Sequence, residues 1–248
     1  MIEVRNLTKR FGTQTVLDGI SFALESGESV AVIGRSGVGK SVLVKHLAAL
    51  MKPDAGEVRL DDQDLVPLSE RELLPIRSRF GMLFQGAALF DSLTVAENIA
   101  FSLGREDLTV KDIGDRVAEV LELVELPGIE AKLPAELSGG MKKRVGLARA
   151  IVHRPEIILY DEPTTGLDPM VSDSIDQLMM RVNERLHATT LVVTHDMRTA
   201  RRLGERVLYL HGGRIYLDDT AENVFMSKDP VVSRFIKGEA DLKEVEFA

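Results

Sequence analysis

Apolar and polar residues alternate along the first thirty positions: Ile2 and Val4, then Ile20, Phe22 and Leu24, with glycines at 12, 19 and 27 breaking the runs. A period of two puts successive side chains on opposite faces. The stretch therefore predicts short antiparallel strands leading into a continuous apolar strand at 29–33. Leu43, Leu47 and Leu50 recur at helical spacing, and Pro53 is expected to end that helix. Phe80, Met82 and Phe84 alternate again toward Gln85. Beyond Gln85 the period changes. Thr94 with Glu97 makes a capping box, and Ile113, Val117, Val120, Leu121 and Val124 stripe one side of a helix. Residues 86–153 are predicted to be mainly helical.

Strand and helix then alternate once more. Ile157-Ile158-Leu159-Tyr160 reads as a strand, followed by a helix striped by Val171, Ile175, Leu178, Met179, Val182 and Leu186, with Asp168 as its N-cap and Pro169 at its first position. Leu191-Val192-Val193 reads as another strand, and 206–217 as a hairpin turning at Gly212-Gly213. The expected class is α/β: a mostly parallel sheet with N-terminal antiparallel strands and a helical insertion. One domain spans 1–248, with residues 1–85 and 154–238 as its α/β core and 86–153 as a helical subdomain. The acidic tail 239–248 follows a short amphipathic stretch carrying Val231, Val232, Phe235 and Ile236. It reads either as a solvated end or as a docking segment.

Composition narrows the classes. The 248 residues are 44% hydrophobic and 28% charged, enough apolar material for a substantial core. A net charge of −8 leaves no electrostatic footprint for nucleic acid. Without cysteine there is neither a disulfide framework nor a thiolate metal site. The start, MIEVRNLTKRF, is charged where a signal peptide needs an apolar segment, and no run of roughly 18 apolar residues follows. A cytoplasmic chain is expected, meeting any membrane through a partner.

The chemistry concentrates in three places. After the strand at 29–33 comes GRSGVGKS: Gly34, Arg35, Ser36, Gly37, Val38, Gly39, Lys40 and Ser41. This fits G-x-x-x-x-G-K-[ST] between a strand and a helix, where bare backbone N–H groups and a helix N-terminus cradle phosphate, Lys40 reaches the β and γ phosphates, and Ser41 ligates Mg²⁺. The plain alternative is a glycine turn with an exposed lysine. The strand 157–160 ends in Asp161 and Glu162, which strand alternation would send to opposite faces for different tasks, Asp161 to the Mg²⁺ shell and Glu162 to the attacking water. Third, LSGGMKKRVGLARAI is a second glycine-rich helix start. Ser138 is able to cap, Gly139 and Gly140 leave N–H groups bare, and Met141, Val145, Ala148 and Val152 form an apolar stripe with Lys142, Lys143 and Arg144 outside.

The order of these motifs resembles the nucleotide-binding subunit of an ABC transporter over essentially the whole chain: loop 34–41, Gln85, Leu137-Ser138-Gly139-Gly140, strand and carboxylates 157–162, Asp168 in Gly166-Leu167-Asp168, and His195 after a strand. The resemblance implies a RecA-like P-loop NTPase fold with ATP and Mg²⁺ as cofactors. Phe11 would stack on adenine, Gln85 would join Mg²⁺ and γ-phosphate to a membrane partner, and His195 would sense the γ-phosphate. Asp168 and the backbone around Val42 would complete the nucleotide site. From composition alone Phe11 would be core and His195 a capping residue. The resemblance also implies a head-to-tail pair of copies in which Ser138 and Gly140 of one meet the ATP on the loop of the other. Arg35 stands where many relatives carry Pro, and Val42 where Thr or Ser is frequent. The stretches 81–101, LSGGM and DEPTTGLDP resemble the ATPases of Mla-type lipid transporters, which implies an integral membrane permease, an MCE-domain protein and a small regulatory subunit as partners, and a location on the inner face of the membrane. Engines for another solute, and soluble relatives acting on nucleic acid or ribosomes, are the competing readings. Ala87–Phe90 is either subdomain core or part of a surface for the permease.

Overall fold

A computed structural model describes residues 1–104 and 107–239. The acidic tail, Glu239 apart, lies outside the described residues. Along the chain the elements are β1 (Ile2–Phe11), β2 (Gln14–Leu24), β3 (Ser29–Ile33), α1 (Lys40–Leu47), β4 (Ala55–Leu60), β5 (Gln63–Asp64), α2 (Glu70–Arg77), β6 (Phe80–Leu83), α3 (Val95–Ala100), α4 (Val110–Leu123), α5 (Gly139–Ile151), β7 (Ile157–Asp161), α6 (Pro169–Leu186), β8 (Thr189–Thr194), α7 (Met197–Leu203), β9 (Arg206–His211), β10 (Arg214–Thr220), α8 (Ala221–Phe225) and α9 (Pro230–Lys237). Two compact units divide them: Met1–Pro67 with Leu191–Ala248, and Leu68–Thr190.

In the first unit the N-terminal alternation builds an antiparallel sheet in the order β2-β1-β4-β5. Ile2 pairs with both Leu24 and Leu60, and Val4 with Phe22 and Val58, so one face gathers apolar side chains that are all buried. The parallel strands β3 and β9 run from Val30 opposite Arg206 to Ile33 opposite Tyr209, and β10 returns antiparallel to β9, as the Gly212-Gly213 turn predicts. Arg206 fastens this end. It forks onto Asp218 at 2.6 Å with both nitrogens and also reaches the Ala23 carbonyl and Glu28. The amphipathic segment near the end forms α9, whose Phe235 stacks on Tyr209 at 4.9 Å.

Three expectations change here. The helix after the glycine loop ends at Leu47, not at Pro53, because Ala49 turns left-handed (φ 52) and the amides of Ala49 and Leu50 bond back to His46 and Lys45. Leu50 is left outside the helix and exposed. Strand β4, unannounced by local pattern, supplies the middle of the first sheet.

In the second unit β6 and β7 pair in parallel, and every residue of β7 is buried. The region expected to be helical holds α3, α4 and α5, with the Thr94–Glu97 capping box formed as expected. Helix α2 was unexpected. It opens on a Ser69–Glu72 capping box and carries Pro75 inside. Tyr160 is wholly buried and donates to Asn183 on α6 at 2.8 Å, and burial pushes its hydroxyl pKa far up. Ion pairs of Glu119 with Arg154 and Arg185, and of Glu125 with Arg144 and Arg181, bind the outer faces of the helices.

Candidate functional site

In the first unit the loop 34–39 joins β3 to α1. Its glycines are required by space as well as by backbone: a Cβ on Gly34 would lie 2.5 Å from the Leu210 carbonyl oxygen, and Gly39 sits at φ 108 as the residue preceding α1. Lys40, 5% exposed, folds back so that its ammonium donates to the carbonyls of Gly34 (2.8 Å) and Arg35 (3.1 Å). The lysine is not the exposed one of a plain turn. It closes the loop into a ring with a positive charge at its mouth, beside the positive end of α1. Arg35, Ser36 and Gly37 are exposed on the loop, Val38, Ser41 and Val42 half-buried. The hydroxyl of Ser41 and the ammonium of Lys40 thus sit in the first turn of α1, a donor set that suits a phosphate with a hard cation.

Phe11, at the end of β1, is 47% exposed with the Lys9 ammonium 5.7 Å from its ring centre, so it is surface and not core. His195 follows β8 and is exposed. The cap of α7 is Asp196, whose side chain accepts from the Arg198 amide, so the capping role considered for His195 belongs to its neighbour.

In the second unit β7 delivers two carboxylates. Asp161 is its last residue, and Glu162 leaves the strand in the left-handed region at φ 50, a conformation costing roughly 1–2 kcal/mol for a residue with a Cβ. The direction of Glu162 is therefore set by this turn, not by strand alternation. Both are buried, and the Thr165 hydroxyl donates to Glu162 Oε2 at 3.0 Å. Lys143, expected outside its helix, is 5% exposed. Its ammonium donates to the carbonyl oxygens of Gln85 and of Glu162, the latter at 3.2 Å. Burial lowers its pKa, against the opposing pull of Asp161 and Glu162. Gln85 itself is exposed.

Ser138 caps α5, accepting from the Met141 amide at 3.3 Å, and is exposed together with Gly139. A side chain on Gly140 would meet Val171 at 2.7 Å. Asp168 uses its carboxylate as the N-cap of α6, bonding the amides of Met170 and Val171. The four remaining histidines, 46, 153, 187 and 211, lie outside these clusters. His46 is buried with Nδ1 2.7 Å from the Val42 carbonyl oxygen.

Sequence reasoning missed Arg149. It is buried and donates to the carbonyls of Ala87 (2.6 Å) and Ala88 (2.7 Å), two consecutive residues in the left-handed region. Asn98, also buried, bonds both the amide and the carbonyl of Phe90. Together they shape a groove of ≈ 450 Å³ lined by Met82, Phe84, Phe90, Phe101, Arg149 and His153, with the Phe90 and Phe101 rings 4.8 Å apart. Phe101 is 63% exposed, so of the two readings of Ala87–Phe90 the buried one holds only for Ala87. No local signal in the sequence marks Arg149, since it and Lys143, six apart, stand about 120° from each other around a helix of 3.6 residues per turn.

Comparison with known proteins agrees with the order of these motifs. Residues 17–165 match the family model described as ABC transporter. The chain is 42% identical to a probable ribonucleotide transport ATP-binding protein, mkl, of Mycobacterium leprae, over 96% of this chain and 69% of that protein. It is 39% identical to the intermembrane phospholipid transport system ATP-binding protein MlaF of Haemophilus influenzae, over 97% of this chain and 92% of that protein. Among solved structures, the dimeric post-hydrolysis state of the ATP-binding cassette MJ0796 with ADP and phosphate superposes with a TM-score of 0.82 at 35% identity, covering 89% of this chain and 99% of that one. On these matches the chain belongs to the ABC transporter family as an ATPase with the ATP-binding cassette fold.

Proposed function

We propose that this ATPase drives the movement of lipids or other hydrophobic molecules through a membrane permease, as one of two identical copies joined head to tail. The observation that carries the lipid reading is the match to MlaF, which runs through 92% of that protein's length. Lys40 and the loop amides 34–39 hold the phosphates of ATP, and Phe11 takes the adenine. Ser41, Asp161 and Gln85 present oxygen donors to Mg²⁺, which when bound would neutralise charge building up between the β and γ phosphates. Glu162 accepts hydrogen bonds from the attacking water and turns it toward phosphorus, and His195 contacts the γ-phosphate. Ser138 and Gly140 meet the γ-phosphate of the partner copy's ATP, with Asp168 close to that junction. On this reading residues 86–153 move as the helical subdomain against the core formed by 1–85 and 154–238.

No helix among the described residues is long and apolar enough to cross a membrane. The permease is reached through the groove around Phe90 and Phe101, an aromatic hollow with a cationic floor suited to a short apolar helix on the cytoplasmic side. Phe101→Asp should lower recovery of the permease with the full chain by about tenfold, since a charge at an aromatic anchor costs at least ~1.4 kcal/mol. Ser138→Phe should leave one copy able to bind ATP and block pairing on addition of ATP. Chromatography with light scattering checks it, and an unchanged pair would remove Ser138 from the junction.

A second reading, transport of another solute, is favoured by the 42% identity to a protein named for ribonucleotide transport. Recovery of the chain from detergent-solubilised membranes decides between them. An MCE-domain protein, a small regulatory subunit and bound phospholipid support the first. A solute-binding protein without lipid supports the second, and nucleic acid instead of a permease would sink both.

A further inference from the structure

Lys143 has no part in the roles assigned above, yet its ammonium is buried between two backbone segments on which those roles depend. It donates to the carbonyl of Glu162, the residue held at φ 50, and to the carbonyl of Gln85. A buried cation whose hydrogen bonds go to carbonyl oxygens gives each bond charge assistance, and a left-handed glutamate with no glycine-like freedom needs such a restraint to persist. Three residues further along the same helix, Gly146 passes beside Ala87 in the segment that follows Gln85, and Arg149 holds the carbonyls of Ala87 and Ala88.

We propose that Lys143 is the positioning residue of hydrolysis: a single buried ammonium fixes the backbone that aims the Glu162 carboxylate and, at the same moment, the backbone that carries Gln85. Movement of the Gln85 segment is thereby transmitted to Glu162 without passing through nucleotide. The inference rests on Glu162 being the residue that orients water.

The test is ATP turnover of the full chain with Lys143→Met, Lys143→Arg, Glu162→Gln and the pair Lys143→Met with Glu162→Gln, alongside binding of a fluorescent ATP analogue. A carboxylate displaced by about 1 Å loses on the order of 10–100-fold. Lys143→Met should therefore lower kcat by that factor with KM and analogue binding within about threefold, and Lys143→Arg, which keeps charge and donors, should recover most of it. Added to Glu162→Gln, Lys143→Met should cost clearly less than the product of the two single losses, because the part that acts through the Glu162 carboxylate is already gone and only the part through Gln85 remains. Should Lys143→Met fail to fold, Lys143→Gln is read in its place against the same criteria. A kcat within twofold of the unaltered chain, or losses that multiply in the double variant, overturns the proposal. Normal turnover in Glu162→Gln alone is a different failure, that of the role given to Glu162.

Discussion

Glu162→Gln is expected to reduce ATP turnover about a hundredfold or more while ATP stays bound. The amide keeps the volume and one acceptor oxygen, so the buried pocket and the hydrogen bond from Thr165 survive. What is lost is the negative oxygen that polarises and aligns water. A factor of 10² corresponds to about 2.7 kcal/mol of transition-state stabilisation, within the range that positioning of a nucleophile supplies in phosphoryl transfer. Because binding energy from the phosphates is untouched, the variant should accumulate ATP-loaded pairs. Phosphate release measured beside analogue binding separates the two quantities, and parallel loss of both would show that Glu162 shapes the site instead of acting in it.

Lys40→Ala should have the opposite signature, weakening nucleotide binding itself by on the order of 10²-fold. Hydrogen bonds from a charged donor contribute about 1.5–3 kcal/mol each, and the ammonium is placed to make them with the phosphates. The substitution also removes the two bonds by which Lys40 closes its own loop on Gly34 and Arg35. Some of the loss will thus come from a loop no longer held in shape. Lys40→Arg distinguishes the contributions: if charge alone matters it restores affinity, and if the ring geometry matters it does not, since a guanidinium is too broad for a site lined by two adjacent carbonyls. Titration with a fluorescent ATP analogue gives both answers.

What the chain announced in advance was whatever depends on near neighbours. The strands β1 to β3, the hairpin at Gly212-Gly213, the cap at Asp168 and the glycine loop all follow from residues a few positions apart. Strand β4 does not, since apart from the two-residue β5 its ladder is made with β1, some fifty positions earlier, and local alternation across Ala55–Leu60 is diluted by Gly56 and the charges of Glu57 and Arg59. Helix α2 hid behind Pro75, which argues against a helix interior, although Ser69 and Glu72 gave a start signal. The end of α1 was misplaced because an alanine, not a glycine, adopts the left-handed closing position. Lys143 was misjudged for a related reason. A helical wheel shows which residues share a side, and it cannot show that the carbonyls of Gln85 and Glu162 cover that side.

The two adjacent left-handed alanines at 87 and 88, locked by the Arg149 fork and flanked by Asn98 on Phe90, have a consequence for recognition. Their conformational freedom has been surrendered during folding, so a visiting helix finds a rim that is already rigid and loses little entropy in organising it. Rigidity of that kind rewards one contour and rejects near misses, so on the proposed docking a helix seated at this lip would be chosen by its shape.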